Sequence, residues 1–264
     1  MLMIYIIAIL LGLAIGSFLN VVIFRLPEEK SLIKIRRSVC RFCNKFLKIA
    51  ELIPVVSFVV QKGKCLGCKK KISWQYPIIE IITVLFFVIE VWYRLNPTLN
   101  NLGHDMILIA RDLVFICTLI VIFMIDVKHL LIFDRTIYPA MVIVFILNFI
   151  ASGFDNNILW RMILAGCIGY LFFALQYYGS RKKWVGGGDM KLAALIGVAL
   201  GVSGILLTLF IAYVGGAIIA LCLVWMRKKQ MNSQLPMGAF LAPAAIIVLF
   251  FGTQILDWYW GFLW

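Results

Sequence analysis

The chain has 264 residues, 64% of them hydrophobic, and a mean hydropathy of +1.03. That apolar share is far above the usual value for a soluble domain and excludes an ordinary water-soluble fold. A formal net charge of +13 would suggest a nucleic-acid partner in a soluble protein. Here the basic residues are confined to particular loops, so no nucleic-acid role follows.

A membrane-spanning helix needs roughly 20 apolar residues. The sequence offers eight such stretches, at about 3–24, 78–95, 106–125, 135–152, 158–178, 189–202, 205–226 and 238–257. Only Gly201, Ser203 and Gly204 separate the sixth from the seventh. The chain is therefore expected to be an all-α polytopic membrane protein with about eight transmembrane helices. Twenty-two of the 25 Lys and Arg residues fall in alternate loops, against Arg94, Arg111 and Arg161 on the other side. By the positive-inside rule the basic loops are cytoplasmic, and both termini face out. The closing Trp258-Tyr259-Trp260 cluster suits an aromatic interface belt.

The first stretch has no basic residues ahead of it and reads as a retained span, not a cleaved signal. It ends in Gly16-Ser-Phe-Leu-Asn-Val-Val-Ile-Phe-Arg-Leu-Pro27. Gly16 and Ser17 would permit close helix packing, and Asn20 would make an interhelical hydrogen bond. Residues 28–75 form the one sizeable soluble segment, and thirteen basic residues lie between Arg25 and Lys71. The segment contains Cys40-Arg-Phe-Cys43 and Cys65-Leu-Gly-Cys68. Each pair can present two thiolates to one tetrahedral ion, and four sulfurs would close a structural zinc site. Disulfides or free thiols fit a reducing cytoplasm less well. Cys117, Cys167 and Cys222 lie singly in apolar stretches and read as packing residues. Glu80 and Glu90 flank the second span, where snorkelling to the interface is the ordinary explanation.

The third span ends at Asp126, on the cytoplasmic border. A short loop carrying His129, read as a headgroup-level residue, leads to Asp134. Asp134 resembles an N-cap or a partner for Arg135 or Lys128. Asp112 would pair with a neighbouring cation. Further on, Trp184-Val-Gly-Gly-Gly-Asp-Met-Lys191 sets Asp189 in the first turn of an outward-running helix. Asp126 and Asp189 thus lie at one border. Two carboxylates held close can share a proton, with one activating water and the other protonating a scissile carbonyl. Helix ends favour Asp189 as the base and Asp126 as the acid. Separate caps or ion pairs at each aspartate are the competing explanation.

Taken together, these motifs resemble the type IV prepilin peptidases, membrane aspartyl proteases with a G-x-G-D motif. The match runs through Gly16–Pro27, the two Cys pairs, Leu52-Ile-Pro54, Ile72–Glu80, Ile125-Asp126 with Asp134, Gly186–Lys191 and Pro236–Ala242. The resemblance implies a catalytic pair at Asp126 and Asp189, with Gly186, Gly188, Lys191 and Asp134 in supporting positions. It implies cleavage of the short basic leader of prepilins or pseudopilins after a glycine, in the bacterial inner membrane. It also implies N-methylation of the new N-terminus with S-adenosylmethionine, linked to the zinc-bearing loop. Zinc would be held by Cys40, Cys43, Cys65 and Cys68. Glu28, Glu29 and Glu51 could relieve repulsion of the basic leader by the loop.

The chain departs from the common pattern at Leu52, where the family often has Asn, and at Phe133, where Pro is usual. No methyl-donor ligands are assigned. The expected organisation is a first helix (1–27), a cytoplasmic four-cysteine zinc-binding and methyltransferase part (28–75), and a seven-helix peptidase core (76–264), among membrane lipid. The alternatives are a peptidase without methyl transfer, an ion-coupled transporter, or a scaffold.

Overall fold

The structure, a computed structural model, describes residues 2–28, 38–95, 102–182, 184–226 and 236–263. Glu29, Lys183 and the basic run Arg227–Lys229 lie outside the described residues. The described residues are mostly helical, with two isolated β-bridges in the segment between the first two long helices. The chain forms two compact units, Met1–Leu99 and Asn100–Trp264.

In the first unit, α1 (Leu2–Arg25) packs against α3 (Gln75–Leu95). Small residues make that contact close. A Cβ at Gly12 would stand 2.8 Å from the Cα of Val84, and one at Gly16 would stand 2.8 Å from the Cα of Glu80. In an apolar surround, backbone approach of this kind replaces the hydrophobic drive that lipid removes. Asn20 is buried in the seam and donates from Nδ2 to the carbonyl of Tyr76 at 3.1 Å, the interhelical bond expected of it. Between the two helices lie the four-cysteine segment and the five-residue α2 (Val56–Val60).

The second unit holds α4 (Leu102–His129), α5 (Asp134–Ala151), α6 (Asn156–Gly179), α7 (Gly187–Trp225) and α8 (Gly238–Leu263). Its core includes Phe115, Leu119, Ile137, Phe173, Leu192, Leu195 and Leu241, all fully buried. The 39-residue α7 is interrupted at Gly201, with φ 74° and ψ −175°. Only glycine takes such angles without strain. The chain reverses there, because both arms lie along α6. Gly169 meets Ala193 from the first arm and Ile205 from the second, and the ring of Phe173 stacks on Tyr213. The arms at 187–200 and 202–225 are thus the sixth and seventh expected spans.

The reversal leaves carbonyls at the end of the first arm without helical partners. Asn148 of α5 donates from Nδ2 to the carbonyl of Val198 at 2.9 Å. Arg111 of α4 in turn donates to Asn148 Oδ1 and to Asp112 Oδ1, each at 2.6 Å. A cation backing a helix C-terminus is the favourable polarity.

Among the described residues, six helices are long and apolar enough to cross a membrane, with α7 counted once. α3 is outside that group and carries Glu80, Glu90 and Arg94. Glu80 and Glu90 do not snorkel. Both are buried, Glu80 bonding the Val55 N–H and Glu90 bonding Arg94. Helix–helix packing encloses them, so the protein and not the interface supplies their partners. Cys117 is half-buried, but Cys167 and Cys222 are exposed on their helices and do not serve the core.

α6 and the first arm of α7 are in backbone contact. A Cβ at Gly169 would collide with the carbonyl of Ala193, and one at Gly197 with the carbonyl of Ala165. Gly169→Leu is therefore expected to cost about 1–3 kcal/mol by forcing the helices apart. It should lower the thermal midpoint in detergent. Gly179→Ala, with nothing within 4 Å, should leave the midpoint near wild type.

Candidate active site and metal centre

Four helix ends meet at one end of the second unit: the C-terminus of α4 and the N-termini of α5, α7 and α8. α7 is capped at Gly186, and the Asp189 carboxylate, three residues on, reaches back to accept the Gly186 N–H at 3.0 Å. This satisfies one of the donors that every helix start leaves open. Asp126 lies in the last turn of α4, which runs on to His129 instead of ending at the aspartate. Its Oδ2 accepts the Ala239 N–H at 2.9 Å, at the start of α8, with the Gly238 N–H beside it. Both aspartates are buried, and the Asp126 charge reaches Asp189.

The glycines around them leave room for one side chain, that of Ile132. A Cβ at Gly188 would stand 2.6 Å from the Ile132 Cβ. A Cβ at Gly238 would stand 2.9 Å from both Ile132 Cδ1 and Asp126 Oδ2. Ile132 therefore wedges between the starts of α7 and α8.

From the sequence, Asp126 belongs to the C-terminal end of its own helix, an environment opposite to that of Asp189. In the structure the N-terminus of α8 comes to it, so both carboxylates accept N–H groups from helix starts. Helix ends no longer separate a base from an acid. Asp134 is the first residue of α5, whose cap is Phe133, and it pairs with Lys191 instead of Arg135 or Lys128. The Lys191 ammonium donates to both Asp134 oxygens, at 2.6 and 2.7 Å, and lies 5.3 Å from the Tyr138 ring. This pair ties the start of α5 to the first turns of α7.

In the first unit, the two Cys pairs form near-identical knuckles. The Cys40 N–H bonds the Lys45 carbonyl and the Asn44 N–H bonds the Cys40 carbonyl. The same pattern recurs from Cys65 to Lys70 and from Lys69 to Cys65. Asn44 and Lys69 hold matching positive φ angles of 52° and 59°. The repeat folds each C-x2-C into a turn with both sulfurs on one side. All four Sγ atoms lie within 4.8 Å of one another, and those of Cys40 and Cys68 are 3.9 Å apart. Sulfurs around a tetrahedral zinc sit about 3.8 Å apart, given Zn–S bonds of about 2.3 Å. The donor set therefore fits that ion. The N–H groups of Cys68 and Gly67 hold the Cys65 thiol down at about 6, while Cys43 beside it is pushed up to about 11 by burial and the neighbouring thiols, so without a cation the four sulfurs do not all ionise together. Glu51 and Glu28 are engaged within the chain, by Lys45 at 3.0 Å and Arg41 at 3.2 Å.

Comparison with known proteins adds to this geometry. The profile described as Bacterial Peptidase A24 N-terminal domain matches residues 10–94. The profile described as Type IV leader peptidase family matches residues 113–221. A Bacillus subtilis (strain 168) protein named prepilin leader peptidase/N-methyltransferase is 32% identical, with 94% of each chain covered. The chain belongs to the type IV leader peptidase family.

Proteins of the same name from Aeromonas salmonicida (strain A449) and Legionella pneumophila are each 29% identical. The alignments cover 95% and 98% of this chain and 91% and 95% of theirs. No solved structure matches. The leader peptidase profile spans both aspartates, Asp134 and Lys191, but stops before α8. Yet α8 supplies the N–H that Asp126 accepts. Gly238 and Ala239 are thus site residues that a reading of the sequence gives no role. Their signal is a pair of small residues opening an apolar helix in the Pro236–Ala242 motif. Ile132 has no such signal, because an isoleucine in a loop looks like any membrane-border residue.

The metal centre is testable without any activity. The purified protein is expected to carry about one zinc per chain, read by elemental mass spectrometry. Cys65→Ser should lose it and make the loop protease-sensitive. A metal-free protein with a protease-resistant loop would contradict the assignment.

Proposed function

We propose that this chain is a membrane aspartyl endopeptidase. It removes the short basic leader of type IV prepilins or pseudopilins and also N-methylates the new N-terminus. The observation that carries the reading is the pair of buried carboxylates, Asp126 and Asp189, gathered at one end of the second unit with the Asp126 charge reaching Asp189. Family membership supports it, since the relatives are named prepilin leader peptidase/N-methyltransferase.

The chemistry follows from the pair. One carboxylate is ionised and takes a proton from water as the water oxygen attacks the scissile carbonyl carbon. The other is protonated and gives its proton to the carbonyl oxygen. The tetrahedral diol collapses: the C–N bond breaks, the departing amine takes the proton that the first aspartate had received, one diol hydroxyl returns its proton to the second aspartate, and the other loses its proton to water. A carboxylate on the leader and a free amine on the pilin remain. The backbone N–H groups at Gly186 and Ala239 fix the carboxylates before substrate arrives, so little reorganisation is needed. Gly186 and Gly188 allow the close approaches at the start of α7, and Lys191 with Asp134 holds that start against α5.

The basic loops orient the protein with its four-cysteine segment and both aspartates on the cytoplasmic side of the bacterial inner membrane. A prepilin leader waits on that side, and its apolar helix lies in the bilayer. Residues 28–75 form the zinc-bearing part linked to methyl transfer, and the membrane helices after it form the peptidase core. S-adenosylmethionine would supply the methyl group to the new amine.

A cleavage assay in membranes with a co-occurring prepilin tests the reading. Wild type should shorten the substrate, with one extra methyl group on the product by mass spectrometry, and Asp126→Ala and Asp189→Ala should leave it intact. A transporter or scaffold would leave wild type without cleavage. Lys191→Met and Asp134→Asn should each lower kcat by roughly 10- to 100-fold, the range expected for a misplaced group. The cut site should stay the same. Unchanged kcat in both would remove them from the positioning apparatus.

A further inference from the structure

We propose that residues 52–60 form a re-entrant insertion into the phospholipid leaflet adjoining the four-cysteine segment, and are not part of a wholly soluble loop. The sequence Leu52-Ile-Pro-Val-Val-Ser-Phe-Val-Val60 has a single polar side chain in nine residues. The short helix α2 directs its residues two ways. Phe58 turns inward, against Gly63 and the Trp74 ring 4.9 Å away. Val56, Val59 and Val60, at the i, i+3, i+4 positions of one face, are 53%, 66% and 75% exposed. Valines so exposed in water would be an unusual patch for a segment of this size.

Depth comes from one hydrogen bond. The Val55 N–H donates to Glu80 Oε2 at 2.7 Å. Glu80 is buried, five residues inside α3, and its Cα packs on Gly16, nine residues before the end of α1. At 1.5 Å per residue those offsets are about 7 and 13 Å along the two helices. The Val55 amide is therefore anchored well inside the α1–α3 pair, of which α1 is long and apolar enough to cross the membrane. An irregular backbone at that depth needs a protein partner for its polar groups, and Glu80 supplies it. Val55 holds φ 59°, an unfavourable angle for a β-branched residue, at the same position where its N–H bonds Glu80.

Charge selects the occupant. Between residues 38 and 75 there are eight Lys and Arg residues and one acid, Glu51, which is paired with Lys45. The insertion is followed at once by Lys62 and Lys64, both exposed. An apolar face with a basic rim fits the boundary between acyl chains and anionic headgroups. A pilin helix would meet the apolar face equally well, but the basic leader ahead of it would be repelled by this rim.

The test places p-benzoylphenylalanine at Val59 or at Val60 in the full-length protein. The protein is reconstituted in nanodiscs containing phosphatidylglycerol, with and without a prepilin, and retained zinc serves as the folding control. Illumination should give adducts with the mass of one phospholipid at both positions, whether or not prepilin is present. Adducts to the prepilin, adducts to residues 102–263, or an unreacted reporter would each overturn the proposal. In the unsubstituted protein, hydroxyl-radical footprinting should leave Val59 and Val60 unlabelled while Phe42 is labelled. Equal labelling of all three would contradict it.

Discussion

The arrangement at the site end of the second unit follows from the need to bury two carboxylates near each other without stranding them. A buried acid is tolerated only with hydrogen-bond partners, and lipid offers none. The chain answers with helix starts. α7 and α8 each bring open N–H groups to one aspartate. Helix starts can approach so near only if their first residues are small, and for this reason Gly188 and Gly238 lie where they do. Ile132 fills the remaining space and sets the distance between the two starts. The same groups that stabilise the acids hold them still for chemistry.

The height of Asp189 depends on events a full span away. Its arm of α7 lies backbone to backbone on α6 through Gly169 and Gly197, which fixes its position along that helix. At the far end Gly201 reverses the chain, and Asn148, backed by Arg111, takes up the carbonyl of Val198. Arg111 belongs to α4, the helix that carries Asp126. One polar cluster therefore ties the far end of the Asp189 arm to the Asp126 helix, while the Lys191–Asp134 pair ties the near end to α5. The first unit solves a parallel problem with different means. Its Glu80 is buried against α1 and spent on the backbone of residue 55, which brings an apolar loop to membrane depth.

The apolar runs make the helices legible in the sequence, because a span declares itself by length and hydropathy alone. Even the break between the sixth and seventh spans is visible as Gly201 with Ser203 and Gly204. The four-cysteine centre is equally legible, since C-x2-C spacing fixes the local turn before any fold exists. Counting crossings puts Asp126 and Asp189 on the same side, and the structure gathers them at one end of the second unit. The origin of their partners cannot be read. Asp126 gains its N–H from Ala239, 113 residues away, and only packing decides which helix start meets it. Asp134 eludes the sequence for the same reason: Arg135 and Lys128 are closer along the chain, but Lys191 is its partner in space. Glu80 and Glu90 look interfacial because their burial depends on the helix packing around them.

The central claim is that Asp126 and Asp189 act as one unit. A double-mutant cycle on prepilin cleavage, with Asp126→Asn, Asp189→Asn and both together, tests it most directly. A dyad predicts that either single change costs as much as the pair, because neither carboxylate works without the other. If the two losses instead multiply in the double variant, or if either single variant cleaves at near the wild-type rate, the aspartates act separately and the account fails.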